Sequence, residues 1–196
     1  MTDIKKALSS NQTVLLVMPS VEYNEILVDV AKQLKGNICY VTANKTFDAL
    51  KETFSKKKIS MEKMVFIDAI SKTMKKTPDQ AKQVYYVSSP GALTELSLVI
   101  GKFLRHKFDY LIFDSVTNLT IYQKKEMASK FITDLVNKVK KTKTKAVFYG
   151  VGSRNDEIIK NVGMSVDKVV EVGAGKASVK SEDKKNKVVK KTATKK

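Results

Sequence analysis

Residues 14–34 read VLLVMPSVEYNEILVDVAKQL. Residues 13–18 are dense in Val and Leu with no polar alternation, the pattern of a strand buried on both faces. After the break at Pro19-Ser20, Ile26, Leu27, Val30, Ala31 and Leu34 recur at helical spacing on one face. Gly36 punctuates the end of that helix. The stretch is one strand–turn–helix unit, and its turn contains neither Gly nor Lys.

The same alternation continues outward. NICYVTA (37–43), KMVFIDAI (63–70), VYYVSS (84–89), DYLIFDS (109–115), KAVFYGV (145–151) and DKVVEV (167–172) read as further strands. Between them, TFDALKETFSKKK (46–58) is a helix turned inward through Phe47, Leu50 and Phe54. PGALTELSLVIGKFLRHK (90–107) is another, with Pro90 at its entry and Leu93, Leu96, Ile100 and Leu104 on one face. A long helix is expected over 123–141, buried through Met127, Phe131, Leu135 and Val139, and a short one over 155–163. SKTMKKTPDQAKQ (71–83) reads as a charged surface excursion. Strands of this kind alternating with helices predict the α/β class, a three-layer αβα sandwich with a mainly parallel central sheet. In such folds ligands sit beyond the carboxyl ends of the strands. Those loops hold Pro19-Ser20, Ala43-Asn44-Lys45, Asp68, Asp114-Ser115 and Gly150 to Arg154.

The chain has 196 residues, 42% of them hydrophobic, enough for one domain with a substantial core. The expectation is a domain over 1–172 and a Lys-rich, disordered tail over 173–196. No apolar run reaches the roughly 18–20 residues of a bilayer span, and MTDIKKALSSNQ has no apolar signal stretch, so a soluble, cytoplasmic protein without membrane insertion is expected. The single Cys39, inside an apolar run, reads as a small buried hydrophobe and excludes an intrachain disulfide.

The formal charge is +17, and the tail carries nine Lys against Glu182 and Asp183, or +7 of it. Lys184, Lys185, Lys187, Lys190 and Lys191 are therefore the candidate contacts for a polyanion or partner. SKKK (55–58), KTMKK (72–76) and NKVKKTKTK (137–145) extend that character into the domain. Arg occurs only at 105 and 154, and Lys lacks the bidentate fork that reads bases, so nonspecific attachment to nucleic acid is the form expected. The tail has no aromatic residue for stacking on single strands.

The segments TVLLVMPS (13–20), NICYVTANKTFDALKETF (37–54), MVFIDAISKT (64–73), YYVSSPGALTELSLVIGKFL (85–104), FDYLIFDSVTNLT (108–120) and AVFYGVG (146–152) together resemble the archaeal RecA/KaiC-like ATPase superfamily across residues 10–172. SSPGALTELSLVI and YLIFDSVTNL carry most of the likeness, and the second is similar to a Walker B strand. The resemblance implies a RecA-like, P-loop fold, with a GxxGxGK[ST] loop after the first strand. Laid onto this chain, that loop covers Met18 to Glu25, which puts Asn24 at the phosphate-binding Lys and Glu25 at the magnesium-binding Ser or Thr. The activating carboxylates fall at Asn44 and Lys45, and only Asp114, with Ser115 beside it, keeps the family's residue type.

Ser20, Asn24, Asp114 and Ser115 are thus the degenerate nucleotide-site positions. Glu22 and Glu25 place negative charge where phosphate would lie, an arrangement that suits a helix N-terminus and not a triphosphate. With Lys, hydroxyl and carboxylate lost together, phosphoryl transfer has no charge neutraliser, metal anchor or base. The expectation is a pseudo-ATPase serving as an interaction or regulatory module, with no catalytic residue, cofactor or metal. Its expected partners are a second copy or an active RecA-like ATPase. A nucleic-acid-binding accessory and an ATP-binding protein with a noncanonical site are the alternatives.

Of the remaining residues, Asp114 and Asp68 read first as caps of the turns that follow their strands. Tyr23 reads as an exposed residue of a first helical turn. His106, between Arg105 and Lys107, complements a helix C-terminus and has no second ligand for a metal. The Gly150 to Asn155 stretch reads as a polar turn.

Overall fold

The computed structural model describes residues 3–173. Helix α1 (Ile4–Ser10) leads into β1 (Thr13–Met18), a short 3₁₀ turn (Ser20–Glu22) and α2 (Tyr23–Gln33). Then come β2 (Ile38–Thr42), α3 (Phe47–Lys56), β3 (Met64–Asp68), α4 (Ser71–Met74), β4 (Gln80–Ala81), β5 (Val84–Tyr86) and α5 (Leu93–Leu104). The chain continues through β6 (Tyr110–Asp114), α6 (Leu119–Tyr122), α7 (Lys125–Lys140), β7 (Lys145–Val151), α8 (Glu157–Gly163) and β8 (Lys168–Glu171).

The strands form one sheet in the order β4-β5-β3-β2-β6-β7-β1-β8. Every pair is parallel except β4–β5. Side chains alternate across it. Val14, Leu16 and Met18 join Tyr40, Phe66, Ile112 and the inner faces of α1, α2 and α3 in one apolar layer. Leu15, Val17, Phe113 and Phe148 join α5, α7 and α8 in the other. The αβα sandwich and its parallel sheet follow from strands apolar on both faces. Cys39 is buried in the second layer, where loss of solvent pushes its thiol pKa well up.

The long helix expected over 123–141 is α7, preceded by the short α6, and of its four expected inward residues only Met127 turns outward. Met127 is 52% exposed, while Ala128, Phe131, Ile132, Leu135, Val136 and Val139 are buried. A strict i+4 series drifts about 40° per step on a 3.6-residue helix, so its first member swings out and the i+3 positions take over. The excursion at 71–83 also holds structure, namely α4 and the antiparallel strand β4. At the foot of α2, Gly36 has φ +145, and a Cβ there would lie 2.4 Å from Asp109 Oδ2, the atom that accepts from Asn37 N–H at 2.7 Å. The glycine is therefore required by the carboxylate that ties β2 to β6 at their entry. The Lys-rich stretch from 174 onward lies outside the described residues, and with it Lys184, Lys185, Lys187, Lys190 and Lys191.

Candidate functional site

The chain runs from β2 toward one side of the sheet and from β6 toward the other, so the strand order reverses between them. In open α/β sheets such a reversal marks the crevice position above the strands' carboxyl ends, where ligands bind. The loops after β1 and β7 flank it.

The turn after β1 uses its own amides. Glu22 N–H donates to Pro19 O at 3.1 Å, and Tyr23 N–H donates to Ser20 O. Tyr23 opens α2 and is 5% exposed, not the open surface residue its position suggests. Its hydroxyl crosses to the end of β6 and donates to Asp114 Oδ2 at 2.5 Å. Tyr40, from β2, donates to the same oxygen at 2.7 Å. Tyr149 stands beside Asp114 in the β6–β7 register. All three tyrosines are buried on the α2 face, and Asp114 is fully buried with them. Asp114 does not cap its turn, because its carboxylate is held by tyrosines from two other elements. Asp114 Oδ1 and the Tyr149 hydroxyl are buried without a hydrogen-bond partner.

Burial pushes the Asp114 carboxyl up to about 6, and the hydroxyls of Tyr23 and Tyr40 act against that rise. Burial, with the Asp114 charge beside them, holds the Tyr23 and Tyr40 hydroxyls well above the usual phenol range. The tyrosines therefore remain donors and the carboxylate remains the acceptor.

Over this cluster lies a polar lid of side chains. Lys45 Nζ donates to Asn24 Oδ1 at 2.8 Å and sits 5.6 Å from the centre of the Tyr23 ring, a cation–π distance. Asn118 Nδ2 donates to Asn44 Oδ1 at 2.7 Å. Thr117 Oγ1 lies 3.2 Å from Ser115 Oγ and accepts from Val151 N–H at 3.2 Å. The four loops around the crevice are thus cross-tied. Of the positions singled out from sequence, Asp114 and Ser115 are buried together and Asn24 is bound to Lys45, while Ser20 is exposed.

A family model, the family of unknown function DUF7090, matches residues 1–182. The chain belongs to DUF7090. No curated protein matches it. Among solved structures, this DUF7090 chain is similar to the KaiC-like protein PH0186 from the hyperthermophilic archaeon Pyrococcus horikoshii OT3. That match has 9% identity and a TM-score of 0.61, and covers 86% of this chain and 74% of that one. A second similar structure is a prototypical ATPase from the type III secretion system of pathogenic bacteria, with 14% identity and a TM-score of 0.52. There 82% of this chain spans about half, 51%, of the other. At these identities the likeness shows the fold, which is that of RecA-like KaiC domains.

Elsewhere in the DUF7090 chain, Asp68 does act as a local cap. It accepts from Ile70 N–H, Ser71 N–H and Ser71 Oγ, and also from Phe47 N–H at the start of α3. His106 is exposed beyond α5. The Gly150 to Asn155 stretch turns around Gly152, whose φ is +146, and Ser153 N–H donates to Asp156. No helix among the described residues is long and apolar enough to cross a membrane. Sequence reasoning missed Tyr40 and Tyr149 as parts of the site. Their signal was a phenol inside an otherwise aliphatic buried strand, since a buried Tyr calls for a hydrogen-bond partner.

Proposed function

We propose that this DUF7090 chain is a non-catalytic RecA/KaiC-like module, a pseudo-ATPase that acts as an interaction or regulatory unit beside a second copy or an active RecA-like ATPase. The observation that carries this reading is the Tyr23 hydroxyl seated on the Asp114 carboxylate. Asp114 is the one carboxylate that keeps the family's type at the would-be metal position, and two phenols saturate its Oδ2.

The donor set suits a magnesium nucleotide poorly. Asn24 and Glu25 stand where a Lys and a hydroxyl are needed, and the turn's amides at Glu22 and Tyr23 are spent on its own carbonyls. Among the described residues no three His, Cys, Asp or Glu side chains come together as metal ligands. Around the same edge, Val21, Ile121 and Met127 are exposed apolar side chains, a surface suited to contact with another macromolecule.

Thermal unfolding with magnesium and ATP, ADP or GTP tests the nucleotide half of the reading. A ligand at a hundred times its Kd adds about 2.7 kcal/mol to the folded state, so micromolar binding is plain at millimolar nucleotide. No shift is expected. Saturable micromolar ATP binding that disappears in Asp114→Asn overturns the reading. A strict monomer in light scattering that also fails to retain a RecA-like ATPase overturns the partner half.

A further inference from the structure

Because the strands other than β4 run parallel, the connections into them reach the sheet at one edge, the edge opposite the crevice. That edge gathers exposed cations. Lys58 and Lys63 precede β3, Lys35 precedes β2, Lys107 precedes β6, and Lys141 and Lys143 precede β7. None of these six takes part in an ion pair. The acids at the same edge are few. Asp109 is engaged with Asn37 N–H, Asp167 is paired with Lys140 and Glu52 with Lys56, while Glu62 and the α1 cap Asp3 remain.

The crevice edge is different. There Lys72 pairs with Asp79, Lys75 with Asp48 and Lys125 with Glu157. The KTMKK cluster is thus largely neutralised, whereas SKKK and NKVKKTKTK project their charge together from the opposite edge. Helix dipoles explain cations within a last turn, such as Lys56 and Lys140. Lys58, Lys63, Lys107 and Lys143 lie beyond the helices, where that effect has faded. Lys58 also takes φ 54, a left-handed conformation that Gly or Asn adopts at lower cost.

We propose that the strand-entry edge of the sheet is a docking face for the phosphate backbone of duplex nucleic acid, bound without reading its sequence. From β3 to β7, the strands these lysines precede, the edge crosses three strand spacings, about 14 Å at about 4.8 Å each, a little under half of the roughly 34 Å of one duplex turn. Duplex DNA offers a charge about every 1.7 Å along its axis, so the row of ammonium groups meets phosphates along its whole length. Base reading is absent from the face because Arg105 is its single guanidinium. Single strands are disfavoured, since Tyr122, the one aromatic among the exposed large hydrophobics, sits at the crevice edge, away from this face. A lipid surface is disfavoured because, among the described residues, Met164 is the single exposed large apolar side chain beside the strand entries. This inference goes beyond the reading of the crevice and stands whether or not a nucleotide binds there.

The test is fluorescence anisotropy of a random-sequence duplex titrated with the full chain at several salt concentrations. With about six phosphates engaged, affinity should fall about 1000-fold between 50 and 200 mM salt. The variant Lys58→Glu, Lys107→Glu, Lys143→Glu is expected to bind at least about tenfold more weakly and to lower the salt slope by about three. The same three positions changed to Gln, with unchanged circular dichroism, separate charge loss from misfolding. The crevice-edge pair Lys76→Glu, Lys124→Glu should bind within about twofold of the parent. Neutralising Lys184, Lys185, Lys187, Lys190 and Lys191 to Gln should leave a remainder that the edge substitutions remove. Parent-like binding by the edge variant, loss of all binding on neutralising those five lysines, or attachment to phosphatidylserine vesicles without attachment to duplex overturns the proposal.

Discussion

A carboxylate at the end of β6 would ordinarily face water or a metal ion. Asp114 faces two phenols, and the physical consequence is a group whose charge is tolerated only through its donors. Removing one should be felt. Tyr23→Phe takes away a hydrogen bond to a charged acceptor, worth about 1.5–3 kcal/mol, and should lower the midpoint of thermal unfolding at pH 7 by several degrees, since about 1 kcal/mol shifts a chain of this size by 2–4 °C. An unchanged midpoint would mean that the Tyr23–Asp114 contact contributes nothing. A pH dependence follows from the same group. The folded carboxyl titrates at about 6, above the roughly 3.9 of an unfolded Asp, so the folded state binds this proton more tightly. Its contribution is full below pH 4 and is lost as pH rises through 6, by about 3 kcal/mol in all. Urea unfolding of the parent and Asp114→Asn from pH 4 to 7 checks this: the stability of the variant relative to the parent should rise with pH, because other carboxylates titrate alike in both. The position of Asp114 was legible in YLIFDS, since a strand-end acid stands out in an apolar run. Its partner was not, because Tyr23 lies 91 residues away and nothing local to either residue encodes their meeting.

At the scale of elements, what could be read was what local periodicity writes. The apolar runs of β1, β2, β3, β6 and β7 are continuous because both faces are buried, and α2 shows its inward face directly, with Ile26, Leu27, Val30 and Ala31 all buried. The elements that escaped did so for definite reasons. Strand β4 is two residues long and polar, held by pairing with β5 and not by any pattern of its own. Helix α6 is four residues long, too short to show a periodicity, and the outward turn of Met127 at the start of α7 follows from how that helix packs on β6 and β7. That rotation has a measurable signature. Leu135→Ala should cost about 2–5 kcal/mol as a buried cavity, whereas Met127→Ala, on the outer side, should stay within about 0.5 kcal/mol. Chemical denaturation of the two variants distinguishes the observed face from the i+4 series, which predicts similar losses at both.

For the whole molecule, the parallel architecture separates two kinds of surface that the sequence interleaves. Among the described residues, strand direction places Lys72, Lys75 and Lys125 with acids at one end of the sheet and leaves Lys35, Lys58, Lys63, Lys107, Lys141 and Lys143 without an acid partner at the other. No linear reading of charge reveals this, because KTMKK and SKKK look alike as text and lie at opposite ends in space. The same strand order also governs the crevice. Strand β7 lies between β1 and β6, so the helix entry carrying Tyr23 and the acid at 114 are kept about two strand spacings, nearly 10 Å, apart. A span of that width exists before any side chain is chosen, and a short residue at 23 leaves it unbridged. The phenol is its present tenant. Trimming it to Ala or Ser would hand the space to solvent, leaving the aspartate within reach of whatever small cation or polar molecule the surroundings supply.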